Sequence, residues 1–273
     1  MWTSSIETYQ LQRPNVRAQE HCGVGGCSDA ELVKVRDFTL GDTVVHDLRF
    51  QAVPSAIGDP RIAGVFGRDF LGQTDVEFDL PGGHVRLWRP QDCGGDQVVY
   101  RANAYNMVKL RSDPTPNRKL WLPVSLNGHE LLGILDSGSS HTTVMARVTQ
   151  QTGLAPETPP ESAGQSGGVG ARKVSTLRAR FASLAIGQET IQHPMLDIAE
   201  AFAADREAPL GSLIQRTSFE EPDIFVGADF LRLHRVYIAG SQGKLYFTYQ
   251  PATAAAPAAA TAQAPEAPQS TPP

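Results

Sequence analysis

Asp136, Ser137 and Gly138 follow directly on an apolar run in the stretch LLGILDSGSSHTTV, Leu131 to Val144. Asp, Ser and Gly are common turn formers, so a strand exit alone would account for them. A carboxylate that faces a second one about 3 Å away does more, because the two resist joint ionisation and share a proton. One can then activate a water as general base while its partner protonates or polarises a carbonyl. The apparent pKa values of such a site belong to the pair.

Other reactive constellations are weaker. Ser139 and Ser140 stand beside His141, but SGSSH does not fit the Gly-x-Ser-x-Gly nucleophile elbow, and neighbours along a strand point to opposite faces. The seven histidines show no paired metal-ligand spacing, and GVGG and SGGVGA lack the lysine of a phosphate loop. Cys22, Cys27 and Cys93 are too few for a two-pair zinc site. A Cys22–Cys27 disulfide across CGVGGC is one reading, and buried or idle thiols are the other. No metal and no cofactor is implied.

The elements that would hold Asp136 are strands. LWLPVSLNGHELLGILD reads as strand, Asn127–Gly128 turn and strand, so Asp136 sits where the second strand leaves its sheet. TVMARVTQQTGL suits a short helix or an irregular turn, SAGQSGGVGARK a mobile loop, and FVGADFLRLH a strand that meets Gly227 and then a short helix. Nearly everything else is strand or turn, so the expected class is mostly β.

The chain also repeats itself. Gly67, Asp69, Phe70, Leu71, Val76 and Gly83 recur 160 positions later as Gly227, Asp229, Phe230, Leu231, Val236 and Gly243. Upstream, VKVRDFTLGDTVVHDLRF resembles ARFASLAIGQETIQHPML at an offset of 146, matching Gly41 with Gly187. Both alternate apolar and polar residues around a central turn, the pattern of a β-hairpin. The expected organisation is a first lobe over 1–110, a linker over 111–119 and a second lobe over 120–250. The Ala/Pro-rich tail, 251–273, has too few large apolar side chains to offset its ordering entropy.

With these residues in view, LLGILDSGSS resembles the active-site segment of the aspartic proteases, and IFVGADFL is similar to the apolar-Gly segment and helix beneath that loop in retropepsin-like members. The paired copies resemble bacterial proteins that carry two such units in tandem. The resemblance implies a retropepsin-like fold of two β-barrel-like lobes and hydrolysis of internal peptide bonds by a carboxylate-activated water. It implies that Asp136 is a catalytic carboxylate, that the Ser137 hydroxyl braces the loop against its counterpart, and that Gly138 allows close backbone approach. Gly167, Gly168 and Gly170 would lie near the flap over bound peptide, with a plain surface turn as the other reading. Gly227 and Asp229 are expected to be structural.

The pattern requires a second Asp, and offsets of 146 or 160 carry its position ahead of Met1. Asp29 and Asp37 lack the preceding apolar strand. The first copy is therefore expected to begin around its flap, at His21 to Gly26, without its opening hairpin, and the start is expected to be truncated. Two other readings stand beside this. A homodimer would bring two Asp136 carboxylates to one site, and a catalytically silent relative would bind extended peptides by strand addition.

A net charge of −5 and a pI of about 5.8 argue against a nucleic-acid partner, since no Lys/Arg cluster is present to displace phosphate counterions. No apolar run approaches the roughly 20 residues that span a bilayer. A peptide or protein substrate is the expected partner. The Ala/Pro tail and a missing leader lean towards a periplasmic or cell-envelope location.

Overall fold

The computed structural model describes residues 1–14, 19–41, 43–54, 61–90, 102, 104–111, 119–168, 170, 172–200 and 220–250. Cys93, most of the expected linker and the Ala/Pro tail lie outside them. Strands dominate, as the period-2 alternation predicts, and they form three sheets.

The first sheet is antiparallel: β1 (Gln19–Gly23), β2 (Gly26–Leu40) and β3 (Thr43–Ala52). The second has nine strands. These are β7 (Trp121–Leu126), β8 (His129–Leu135), β9 (Thr143–Met145), β10 (Glu161–Ser166) and β11 (Val174–Arg180). With them run β12 (Ser183–Ile186), β13 (Glu189–Gln192), β14 (Met195–Ala199) and β15 (Ile224–Val226). Their order is β10-β11-β14-β9-β15-β8-β7-β12-β13, which puts the Asp136-bearing β8 well inside the sheet.

The third sheet joins the two halves of the chain. It comprises β4 (Asp75–Asp79), β5 (His84–Trp88), β6 (Asn106–Lys109), β16 (His234–Ala239) and β17 (Lys244–Tyr249), ordered β5-β4-β16-β17-β6. Four α-helices, α1 (Ser4–Thr8), α2 (Arg68–Leu71), α3 (Ala146–Thr152) and α4 (Ala228–Leu233), and a 3-10 turn at Gly240–Gln242 complete the described structure.

The register follows the sequence repeat closely. In β4 and β5, Val76 faces Leu87 and Phe78 faces Val85; in β16 and β17, Val236 faces Phe247 and Ile238 faces Leu245, each 160 positions on. Leu40 pairs with Thr43 across the Gly41 turn, and Ile186 with Glu189 across the Gly187 turn, 146 positions on. Both turn glycines have φ near 60° (57° and 59°), a left-handed conformation that favours glycine. Strands β4 and β16 lie side by side, antiparallel, with Glu77 facing Tyr237.

One expectation needs correction. The first copy does not begin around its flap, because Met1 to Gln12 form ordered structure ahead of β1. The Trp2 N–H donates to the Ala63 carbonyl at 2.8 Å, and Trp2 runs parallel to Val53. Met145 makes the same two contacts in the later part of the chain, with the Asp223 carbonyl and with Ala199. The sequence comparison missed this because MWTSSIETYQL and VMARVTQQTGL share helix and strand propensity but little identity.

The main core lies between β7, β8, β15, α4 and the inward face of the third sheet, with Leu122, Leu126, Ile224, Leu231 and Phe247 fully buried. Asn127 and Gly128 make the β7–β8 turn with φ of 50° and 81°, as the Asn-Gly pair predicts. Asn127 is also fixed by its side chain, whose Oδ1 accepts from the Ala182 and Ser183 amides at 2.8 and 3.1 Å.

Candidate active site

Strand β8 is apolar because it is central: Leu131 and Leu135 are buried, and the strand is flanked by β7 and β15. The ladder with β15 ends at Val226–Leu135, and the Asp136 amide then donates to the Val226 carbonyl at 2.9 Å. The chain turns at this point. Asp136 Oδ1 accepts from the Gly138 amide at 2.9 Å, and the Ser139 amide reaches back to the Asp136 carbonyl at 3.2 Å. A side chain at Gly138 would place its Cβ 3.2 Å from Asp136 Oδ1, so glycine gives that carboxylate oxygen room.

The loop is held from below by the start of α4. The Thr142 amide and hydroxyl both donate to Asp229, each at 2.7 Å, and the Gly227 amide donates to the Thr142 hydroxyl at 3.1 Å. The Ala228 amide donates to the Ser139 carbonyl at 2.8 Å. A Cβ on Gly227 would stand 2.5 Å from the His141 carbonyl carbon, so only glycine lets β15 pass this close. Gly227 and Asp229 thus have the structural roles expected of them. Thr142 is the residue that sequence reasoning missed, since one threonine six positions beyond Asp136 forms no recognisable pattern. The signal available was Asp229, a carboxylate in an apolar segment and in need of donors.

Asp136, Ser137 and Gly138 open onto a cavity of about 410 Å³. Its other walls include Val65, Phe66, Arg68, Leu71, Val76, Phe78, Leu120 and Ile238, drawn from both halves of the chain. Among the described lining residues Asp136 is the single carboxylate. Ser137 is exposed, and among the described residues its hydroxyl meets no counterpart to brace. Ser139 turns its hydroxyl to the His141 carbonyl at 2.8 Å rather than to the His141 ring, so these residues do not form a nucleophile and base.

Gly167, Gly168 and Gly170 belong to the tip between β10 and β11. That tip meets the tip of the β1–β2 hairpin. Gly25 and Gly170 form an isolated parallel bridge, and the Arg172 amide donates to the Gly25 carbonyl at 3.0 Å. Val24 packs against Gly168 and touches the main core. A Cβ on Gly170 would collide with the Gly25 carbonyl carbon, so the contact depends on glycine from both sides. Strand β11 is tied to β14 by Arg178, whose Nε donates to Asp197 Oδ1 at 2.6 Å; that hydrogen bond holds the guanidinium pKa above its ordinary value. Cys22 and Cys27 are register partners in the β1–β2 ladder.

The site is thus a carboxylate at the end of a central strand, in a glycine-turned loop braced by a helix and opening onto a largely apolar cavity. Residues 122–230, the segment that builds this loop and its brace, match the family model of the aspartyl proteases. The match falls on the segment that contains LLGILDSGSS, the stretch whose resemblance pointed to the same family. No curated protein matches the sequence.

Solved structures similar to this chain include a retropepsin-like aspartic protease from Rickettsia conorii, at 14% identity over 54% of this chain and 91% of that one, with a TM-score of 0.33. The EIAV protease complexed with the inhibitor HBY-793 is similar at 16% identity over 44% and 91%, with a TM-score of 0.30. The retroviral protease-like domain of Ddi1 from Leishmania major is similar at 16% identity over 42% and 75%, with a TM-score of 0.25.

Proposed function

We propose that this protein is an aspartic-type endopeptidase in which Asp136 activates the attacking water. The observation that carries the reading is the position of Asp136 at the mouth of an apolar cavity, with Oδ1 held by the Gly138 amide at 2.9 Å. The water would lie against this carboxylate and lose a proton as it attacks the peptide carbonyl. The carbon–nitrogen bond then breaks, and the amine leaves with a proton; no covalent enzyme intermediate forms. The family's chemistry needs a second carboxylate to supply and accept that proton, and in this reading it comes from outside the described residues.

In the same reading the chain is two units of one β-rich design: 1–110, a linker over 111–119, 120–250, and the tail over 251–273. Its support is the shared register of β4–β5 and β16–β17 at an offset of 160. The tips at Gly25 and at Gly167 to Gly170 act as flaps over bound peptide, supported by their contact with each other. The substrate is a peptide or an unfolded protein segment.

The test is hydrolysis of an unstructured protein at pH 4 to 7 by the chain and by Asp136→Ala. The reading expects cleavage that the substitution abolishes. A specific activity that rises in proportion to enzyme concentration would make a homodimer the source of the second carboxylate. Cleavage that survives Asp136→Ala would sink the reading.

A further inference from the structure

The two hairpin tips that meet are built on one pattern with one difference. GVGGC, Gly23 to Cys27, returns 145 positions later as GVGAR, Gly168 to Arg172, and the residue ahead is Cys22 in the first tip and Gly167 in the second. The first tip is therefore bracketed by two cysteines and the second by none. The bracket is matched in the backbone, where β1 and β2 pair Cys22 directly with Cys27, one step outside Gly23 and Gly26. Directly opposed residues of an antiparallel ladder stand about 4.5–5.5 Å apart at Cα, within the roughly 4.4–6.8 Å that a disulfide spans. Strand β1 is also an edge of its sheet among the described residues.

What the bracket encloses is the contact itself. Gly25 bridges Gly170 and its carbonyl accepts from the Arg172 amide at 3.0 Å, while Val24 packs on Gly168 and reaches the main core. Gly25 and Gly26 are buried there, and a Cβ on Gly25 would stand 2.8 Å from the Gly170 carbonyl oxygen. The close approach thus demands glycine. Three glycines among the four enclosed residues, Gly23 to Gly26, leave an unlinked tip a wide range of backbone conformations. A covalent ring through Cys22 and Cys27 removes much of that range before the tips meet.

We propose that Cys22 and Cys27 are a thiol–disulfide pair that sets how firmly the two tips hold together. The oxidant is a low-molecular-weight disulfide. One cysteine thiolate attacks a sulfur of that disulfide, forming a mixed disulfide and releasing a first small thiol. The other cysteine thiolate attacks the protein sulfur of the mixed disulfide, closes the ring and releases the second small thiol. The two protons of the protein thiols end on the released thiols, so two cysteines are oxidised as one small disulfide is reduced, and a dithiol reductant reverses the step. In the oxidised chain the first tip keeps the shape that seats on the second; in the reduced chain the tips part more often. The device needs no catalysis by Asp136, so it stands or falls apart from the proposed function.

The experiment equilibrates the full chain with oxidised glutathione or with dithiothreitol and reads free thiols, peptide masses and backbone hydrogen exchange. Oxidation is expected to leave one of the three cysteines free, with the peptide that spans Cys22 and Cys27 lighter by two hydrogens. The Arg172 amide should exchange about tenfold or more slowly in the oxidised chain, the scale expected for closing a short ring, while β7 and β8 exchange alike in both. Cys27→Ser should exchange at the reduced chain's rate under either condition, which separates the bond from any other effect of the oxidant. A disulfide that includes Cys93 or links two chains, or equal Arg172 exchange in the oxidised and reduced chains, would overturn the proposal. So would three titratable thiols after oxidation.

Discussion

At the scale of single residues, Asp136 depends on a brace that its own sequence neighbourhood does not reveal. Thr142 offers its amide and hydroxyl to Asp229 and its hydroxyl accepts from the Gly227 amide, so three hydrogen bonds meet on one buried residue. Thr142→Val keeps the shape and removes the hydroxyl, leaving the Gly227 amide without its acceptor and Asp229 Oδ1 with the Phe230 amide in place of two donors. The expected loss is about 1–3 kcal/mol of stability, measured by chemical denaturation. If the brace positions Asp136, kcat should fall while KM holds. The place of Asp136 at the end of a strand was legible because Asp, Ser and Gly after an apolar run suit a strand exit. Thr142 was not, because its partners lie 85 and 87 residues away.

At the scale of elements, hairpins were the most legible feature. The Gly41, Asn127–Gly128 and Gly187 turns all carry the positive φ that their residue types suggest. The meeting of two hairpin tips was not legible, since a glycine cluster announces flexibility and says nothing about what approaches it. Gly170 has φ of 104° and abuts Gly25 directly. Gly170→Val combines a strained backbone with a collision, at a cost of about 1–3 kcal/mol if the contact were kept. The tips should therefore part. The amide of Arg172, which donates to the Gly25 carbonyl, should then exchange faster in the variant, while exchange in β7 and β8 stays unchanged.

At the scale of the whole molecule, the repeat at 160 foretold the matching registers of β4–β5 and β16–β17, but not that β4 and β16 would lie side by side. That pairing joins residues about 160 apart, and local pattern carries no information about it. Its polar centre is Glu77, which is buried and accepts from Arg235 Nε at 2.6 Å, Arg86 at 3.2 Å and Trp88 Nε1 at 3.1 Å. Glu77→Ala removes the carboxylate shared by Arg235, Arg86 and Trp88, while Arg86 keeps Asp79 at 3.5 Å. The expected loss is about 1–3 kcal/mol, seen as a lower denaturation midpoint.

The central claim is that Asp136 works as one member of a proton-sharing carboxylate pair. Its most direct test is the pH dependence of kcat/KM for peptide hydrolysis, measured for the chain and for Asp136→Asn. A base that must be ionised and an acid that must be protonated predict a bell-shaped profile on the acid side of neutrality. Replacing Asp136 by Asn should flatten it to background. A rate that climbs steadily into the alkaline range, or a bell that survives in Asp136→Asn, would contradict the account.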